Sequence, residues 1–431
     1  MRTHWKPFLI VLVLIFTLGF VTVQAQDPTT IHVLAMDQAA MTTEEMQAVA
    51  DEFNAANPGI KVELEFVEYN ALHDKIVTSM ATDPPPYDAI LSDVIWYPEF
   101  VKSGYLADVS DRITDEEKTD IFQSAWNVVT VDDKEYGMPW LLDTKYLFYN
   151  QDMLTRAGFD AGPTTWEELV EQATAIKEKG IVEYPIVWSW VQQEAIICDF
   201  VALVYGNGGQ FLDDAGKPVF NNEKGVAALE WMVKTIDDGL TNPSSITYVE
   251  EDVRNVFSSG GAAFALNWLY MYDLANLNKD ESQVTGQVKI STIPVFEGAA
   301  ANDAPTASVD GSMGFSVTST STNQDAAWAF LEYLTSEPTQ LKYSSHQLPI
   351  WKTSFEGATL EELMGQTESA PVLVPAFNAQ FQYAHVRPRI PYYVEGSKAL
   401  QLALQLALTK QETPQQALDE AAAKWVEMGS Q

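Results

Sequence analysis

The chain has 431 residues, 60 of them acidic against 25 Lys and Arg, for a net charge of −35. That balance argues against nucleic acid and anionic membrane surfaces as partners, and suits a soluble protein kept monomeric by repulsion. The length exceeds what one hydrophobic core comfortably fills, so two domains are expected.

The first residues carry Arg2 and Lys6, and an apolar run follows from Phe8 to Val23, broken only by Thr17, Gly19 and Thr22. Val23-Gln24-Ala25 then has the small-x-small form of a cleavage site, so residues 1–25 are expected to be a secretory signal peptide. The run is short for a membrane span; an uncleaved anchor is the alternative. No Cys lies near the cleavage site, so a lipoprotein anchor is not expected. Cys198 is the single cysteine; it allows no internal disulfide and is expected to be a core thiol rather than a nucleophile. The histidines lack metal-ligand spacing, and neither HExxH nor a glycine-rich phosphate loop occurs. The chain therefore displays no engine for phosphoryl, hydride or metal chemistry, and no cofactor or metal is expected.

A strand is predicted over 30–36, then a helix opened by Thr42-Thr43-Glu44-Glu45 and stopped by Asn57-Pro58-Gly59. The alternation over 60–66 predicts a second strand, 70–81 a helix, and 87–92 a third strand. Strand and helix alternating over short links give an α/β pattern with a mainly parallel sheet. Ligands in such sheets bind beyond the carboxyl ends of strands, which singles out Asp37, Asp93 and Trp96. Next comes Gly137-Met138-Pro139-Trp140, a lone acid at Asp143, and a strand-like apolar run from Tyr146 to Tyr149. An acid beside a large ring suits a cleft, so this stretch is read as a crossing between lobes; an ordinary loop with an exposed acid is the alternative. Further on, a capped helix is predicted from Thr165, a strand carrying Trp188 and Trp190, and an apolar helix from Glu194 to Tyr205. A helix over 223–238, a buried strand ending in Asn267 and Trp268, a strand over 287–294 and a soft linker over 296–306 follow. A strand over 312–317 precedes a largely helical remainder; Trp166 on the helix from Thr165 and Trp328 in this remainder sit at core spacing on their helices.

The ordered set Gly137-Met138-Pro139-Trp140, Tyr149-Asn150, Ala157-Gly158-Phe159, Pro163-x-Thr165-Trp166-x-Glu168-Leu169, Gly260-Gly261-Ala262-Ala263-Phe264 and Ala326-Ala327-Trp328-x-Phe330-Leu331 spans nearly all of the chain beyond the leader. With Glu194 to Phe200, Tyr205-Gly206-Asn207-Gly208-Gly209, Asn267-Trp268-x-Tyr270 and Arg387-Pro388-x-x-Pro391-Tyr392-Tyr393, it resembles the extracellular solute-binding proteins, family 1, that serve carbohydrate ABC importers. Within that family it is most similar to the trehalose/maltose-binding group. The resemblance implies an α/β, two-lobed periplasmic-binding-protein fold of type II, each lobe a mainly parallel sheet flanked by helices and joined by hinge crossovers that close on ligand. It places residues 26–142 and 300–340 in the first lobe and 143–299 and 341–431 in the second, with later crossings near 298–306 and 336–346.

The same resemblance implies a sugar site. Asp93, Asp143 and Glu194 are its expected acids, Arg387 its cation, and Trp268 with Tyr270 its aromatic platform. Asp37, Trp96, Trp140, Trp188 and Trp351 are supporting candidates. The chain departs from its relatives in two places: Gln193 stands where they carry an aromatic, and Asp310-Gly311-Ser312 replaces Gly-Gly-Trp, so Gly311 and Ser312 are expected to alter which sugar fits. A carbohydrate ligand and the permease subunits of an ABC importer are the implied partners. Two rivals from other classes remain: a secreted glycoside hydrolase using Asp93 and Asp143 as its carboxylate pair, and a binder of cationic solutes such as polyamines.

Overall fold

In the computed structural model, the described residues are 1, 27–299, 304–344 and 346–430. The expected leader therefore lies outside them apart from Met1, as do residues 300–303 of the expected second crossing. The strands are β1 (Thr29–Met36), β2 (Ile60–Val67), β3 (Ala89–Asp93), β4 (Thr130–Val131), β5 (Lys134–Glu135), β6 (Met138–Leu141) and β7 (Tyr146–Asn150). They continue with β8 (Ile186–Val187), β9 (Phe264–Asn267), β10 (Val288–Ser291), β11 (Ser308–Asp310), β12 (Met313–Val317) and β13 (Ala384–Val386).

Two lobes form around two sheets. The first has the order β2-β1-β3-β12-β6 and the second β10-β7-β9-β8. The sheets are mixed rather than mainly parallel. β1 runs parallel to β2 and β3, but β12 is antiparallel to both β3 and β6. In the second sheet only β8 and β9 are parallel, and β7 is antiparallel to β9 and β10. The physical reason is the crossing itself. The βαβ units at the start of the chain give parallel neighbours, whereas strands that enter a sheet on return from the other lobe are free to run the opposite way.

Local chemistry explains where helices begin. Thr42 caps the helix Thr43–Ala56 in a capping box with Glu45, and Thr165 does the same with Glu168 for Trp166–Glu178. Trp166 thereby starts its helix fully buried, edge-on to Trp188 at 6.2 Å and close to Trp231 at 4.9 Å. The helix Glu194–Gly206 is buried along almost its whole length, which is why its sequence is apolar all round. The helix Tyr393–Leu408 packs on it, and the last helix, Pro414–Gly429, packs on that one in turn, pinned by Trp425, whose indole N–H donates to the Gly396 carbonyl at 2.6 Å.

Chain beyond His346 first packs on the first lobe. Ile121 bridges to Trp351, Lys352 donates to the Thr119 carbonyl at 2.5 Å, and Phe122 meets Phe355 with ring centroids 5.5 Å apart. Only then does β13 run back beside β11, in parallel, as a separate two-stranded sheet.

Candidate functional site

A cavity of 600 Å³ opens between the lobes, lined from the first by Asp37, Tyr69, Asp93 and Leu141, and from the second by Glu194, Glu250, Trp268 and Tyr270. Asp143, Gly311 and Arg387 line it from the crossings. Asp93 is the last residue of β3 and Asp37 follows β1, so both stand where strand ends present side chains to a ligand.

Arg387 follows β13 and ties the two lobes together. Its Nη2 donates to Asp93 Oδ1 at 2.9 Å and Oδ2 at 3.1 Å, and its Nη1 to Glu194 Oε1 at 3.0 Å. Asp93 also accepts from the Tyr69 hydroxyl at 2.7 Å. Glu194 sits in the first turn of its helix, where the dipole favours an anion, and accepts from Tyr393 and Ser397, each at 2.5 Å. Both acids thus spend most of their acceptor capacity inside the protein. Against the cost of burial, the Asp93 and Glu194 charges hold Arg387 firmly protonated. Its Nε is buried without a hydrogen-bond partner.

Asp143 lies on the first crossing, between β6 and β7, and is 5% exposed. Its Oδ1 accepts the Thr144 amide at 2.8 Å. Burial pushes its carboxyl up to about 8, outweighing the Thr144 and Leu269 amides, and nearby Asp310 adds to the rise. Asp310 is likewise raised, chiefly by burial, and its Oδ1 accepts the Ser312 amide at 2.8 Å. Near neutral pH Asp143 is therefore largely protonated, a carboxyl that can donate as well as accept.

Trp268 follows β9 and leaves part of its ring open to the cavity. A Cβ on Gly311 would stand 2.4 Å from that ring, so the ring rests on bare backbone there. Lys145 Nζ lies 5.4 Å from its centroid. Lys145 is fully buried and bonded to Asp199 Oδ1 at 2.8 Å and Ser189 Oγ at 3.1 Å, with Glu250 at 3.4 Å. Tyr270 is 7% exposed, its hydroxyl raised well above the usual range by burial, with Glu251 beside it.

Not every candidate reaches this cavity. Trp140 is fully buried in the first lobe, edge-on to Phe315 at 5.3 Å. Trp188 is stacked on Trp190 at 5.4 Å inside the second lobe, its indole N–H donating to Thr241. Trp351 donates to the Thr335 carbonyl at 2.8 Å. Ser312 is fully buried beneath the lining, its hydroxyl accepting the Asp143 amide at 3.4 Å. Trp140 and Trp188 sit in packed interiors, where a large ring is most easily satisfied, and Trp351 is half-buried away from the cavity. Trp96 lines a smaller neighbouring cavity and stacks on Tyr69 at 5.4 Å. Cys198 is buried behind Glu194, its thiol pushed up to about 12 by burial, which leaves it inert.

Sequence reasoning passed over Tyr69, Lys145 and Glu250. Tyr69 follows β2 just as Asp37 follows β1, so the strand-end rule that selected Asp37 and Asp93 also points to it. Lys145 carried a signal of its own, a cation set directly against an apolar strand. Among the described residues no cluster of His, Cys, Asp or Glu could hold a metal ion, and no helix is long and apolar enough to cross a membrane.

Comparison with known proteins places this arrangement. The family model described as bacterial extracellular solute-binding protein matches residues 39–341. A putative binding protein of Brucella abortus (strain 2308) is 24% identical over 97% of this chain and 97% of its own. The maltose-bound MalE3 of T. maritima superposes with a TM-score of 0.83 at 29% identity, covering 93% of this chain and 100% of that one. An ABC transporter solute-binding protein of Thermotoga lettingae, bound with α-D-tagatose, gives 0.79 at 26% identity, over 92% and 98%. With its family model matched over more than half its length and a cleft of this form between its lobes, the chain belongs to the bacterial extracellular solute-binding proteins.

Proposed function

We propose that the protein captures a carbohydrate in the cleft between its lobes and hands it to the permease of an ABC importer. The observation that carries this reading is the part-open Trp268 ring, set against Gly311 in a cavity that also holds Asp143 and Arg387. The apolar C–H face of a pyranose lies flat on such a ring, while its hydroxyls need both donors and acceptors. A protonated Asp143 supplies both. The volume of 600 Å³ falls within the range of small-ligand sites. Solved relatives bound to maltose and to tagatose support the same class of ligand.

We read the protein as a receptor, not a hydrolase. A glycosidase acid would need a free carboxyl opposite Asp143, and the Asp93 oxygens are taken by Arg387 and Tyr69. The chain works as an exported monomer whose leader, residues 1–25, is removed. Its lobes comprise 26–142 with 300–340, and 143–299 with 341–431, hinged at Asp143, the stretch just beyond His346 reaching back to pack on the first lobe. Specific observations favour one second reading: Asp37, Glu44, Glu68, Glu250 and Glu251 all line the cavity, which would suit a cationic solute.

A thermal-shift screen separates the two. A ligand at about 100 times its Kd stabilises the native state by ~2.7 kcal/mol. Mono-, di- and trisaccharides should include at least one that raises the melting temperature, and polyamines none. A shift with polyamines alone would overturn the carbohydrate reading.

A further inference from the structure

A second cavity, of 300 Å³, adjoins the main cleft and is lined by His73, Trp96, Lys398 and Gln401 among others. The two cavities share Tyr69, Asn70, Gln193 and Glu194, which therefore form the wall between them. Most of that wall is fixed. Tyr69 is bonded to Asp93, and Glu194 to Arg387, Tyr393 and Ser397. The remainder is a single amide pair across the lobes, in which Asn70 Nδ2 donates to Gln193 Oε1 at 2.8 Å. Gln193 precedes the helix Glu194–Gly206 at the capping position, yet its side chain makes no capping bond and is spent on Asn70 instead. Asn70 is exposed, so water can replace the bond at little cost.

We propose that the Asn70–Gln193 pair is a length gate. It ends the main cleft, and a carbohydrate chain too long for that cleft must part the pair to lay its next unit beside Trp96. This rests on the carbohydrate reading and deepens it. Lys398, Asp74, Gln192 and Gln401 offer polar groups for hydroxyls in the second cavity, against a side closed by Trp96, 3% exposed and stacked on Tyr69, and by His73, stacked on Phe100. The fixed part of the wall keeps the lobes together while the weak part yields.

The test is calorimetric titration of linear gluco-oligosaccharides of one to six units, α-linked and β-linked, into the full chain. The variants are Gln193→Ala, which removes the gate, and Asn70→Asp, which keeps it because the Gln193 amide can turn and donate. The quantity read is the ratio of affinity for the longest binder to that for the shortest. It should rise about tenfold in Gln193→Ala, the worth of one or two new hydrogen bonds, and stay at the wild-type value in Asn70→Asp. Binding with the same length profile in all three proteins would overturn the gate and leave the carbohydrate reading standing. No binding of any oligosaccharide to any of the three would overturn both.

Discussion

At the scale of the residue, the site depends on how burial changes a carboxyl. Asp143 was legible in the sequence as an acid beside a ring, but its protonation was not, because that follows from desolvation and from Asp310 across the crossing. In the unfolded chain such a group ionises near 4, and in the folded protein at about 8. Between those values the native state holds a proton that the unfolded state has released. Its contribution to stability is therefore complete below pH ~4 and is lost as pH rises through about 8, at up to ~1.4 kcal/mol per pH unit. Asp143→Asn removes this titration. Denaturation with urea at a series of pH values between 5 and 8 should show the wild type losing stability relative to Asp143→Asn as pH rises. Parallel profiles would show that Asp143 is ionised in the native protein.

Elements decide which candidates reach the cleft. Strand ends and strand-to-loop exits were readable from alternation and capping, and they deliver Asp37, Asp93, Trp268 and Tyr270 to one cavity. Residues inside strands were not readable in the same way. Trp140 in β6 points into its own lobe, and a single residue of register decides that outcome. Sheet direction was equally hidden: β12 pairs with β3 across more than two hundred residues of chain, and no local pattern records whether it does so parallel or antiparallel. The junction of elements at Arg387 has an energetic consequence. Removing one member of a buried, bonded charge group strands the others, at a cost of about 3–5 kcal/mol. Arg387→Ala leaves Asp93 and Glu194 without their cation and should lower the unfolding free energy by that amount in chemical denaturation. Arg387→Lys should recover only a fraction, because one ammonium cannot reproduce the fork that serves both acids. A loss within ~0.5 kcal/mol would mean that the tie between the lobes is not formed in solution.

Over the whole molecule, net charge argued against nucleic-acid partners, length favoured two domains, and the ordered motifs pointed to a two-lobed receptor. What they could not convey is how much of the cleft is already committed. Arg387, Asp93, Glu194 and Tyr69 bind one another across the lobes, so they serve closure as much as any ligand. The groups with capacity to spare are the Trp268 ring and Asp143. Ligand then acts by adding contacts that exist only when both lobes face it, which shifts the population towards the closed form. The ring is the part of this scheme that takes no part in the ion group around Arg387. Titration calorimetry of a carbohydrate found by screening should give one site per chain in the wild type, and an affinity at least about tenfold weaker in Trp268→Ala, with the empty protein still folded. Equal affinity in the two proteins would contradict the account, since the sugar would then be held somewhere other than against that ring.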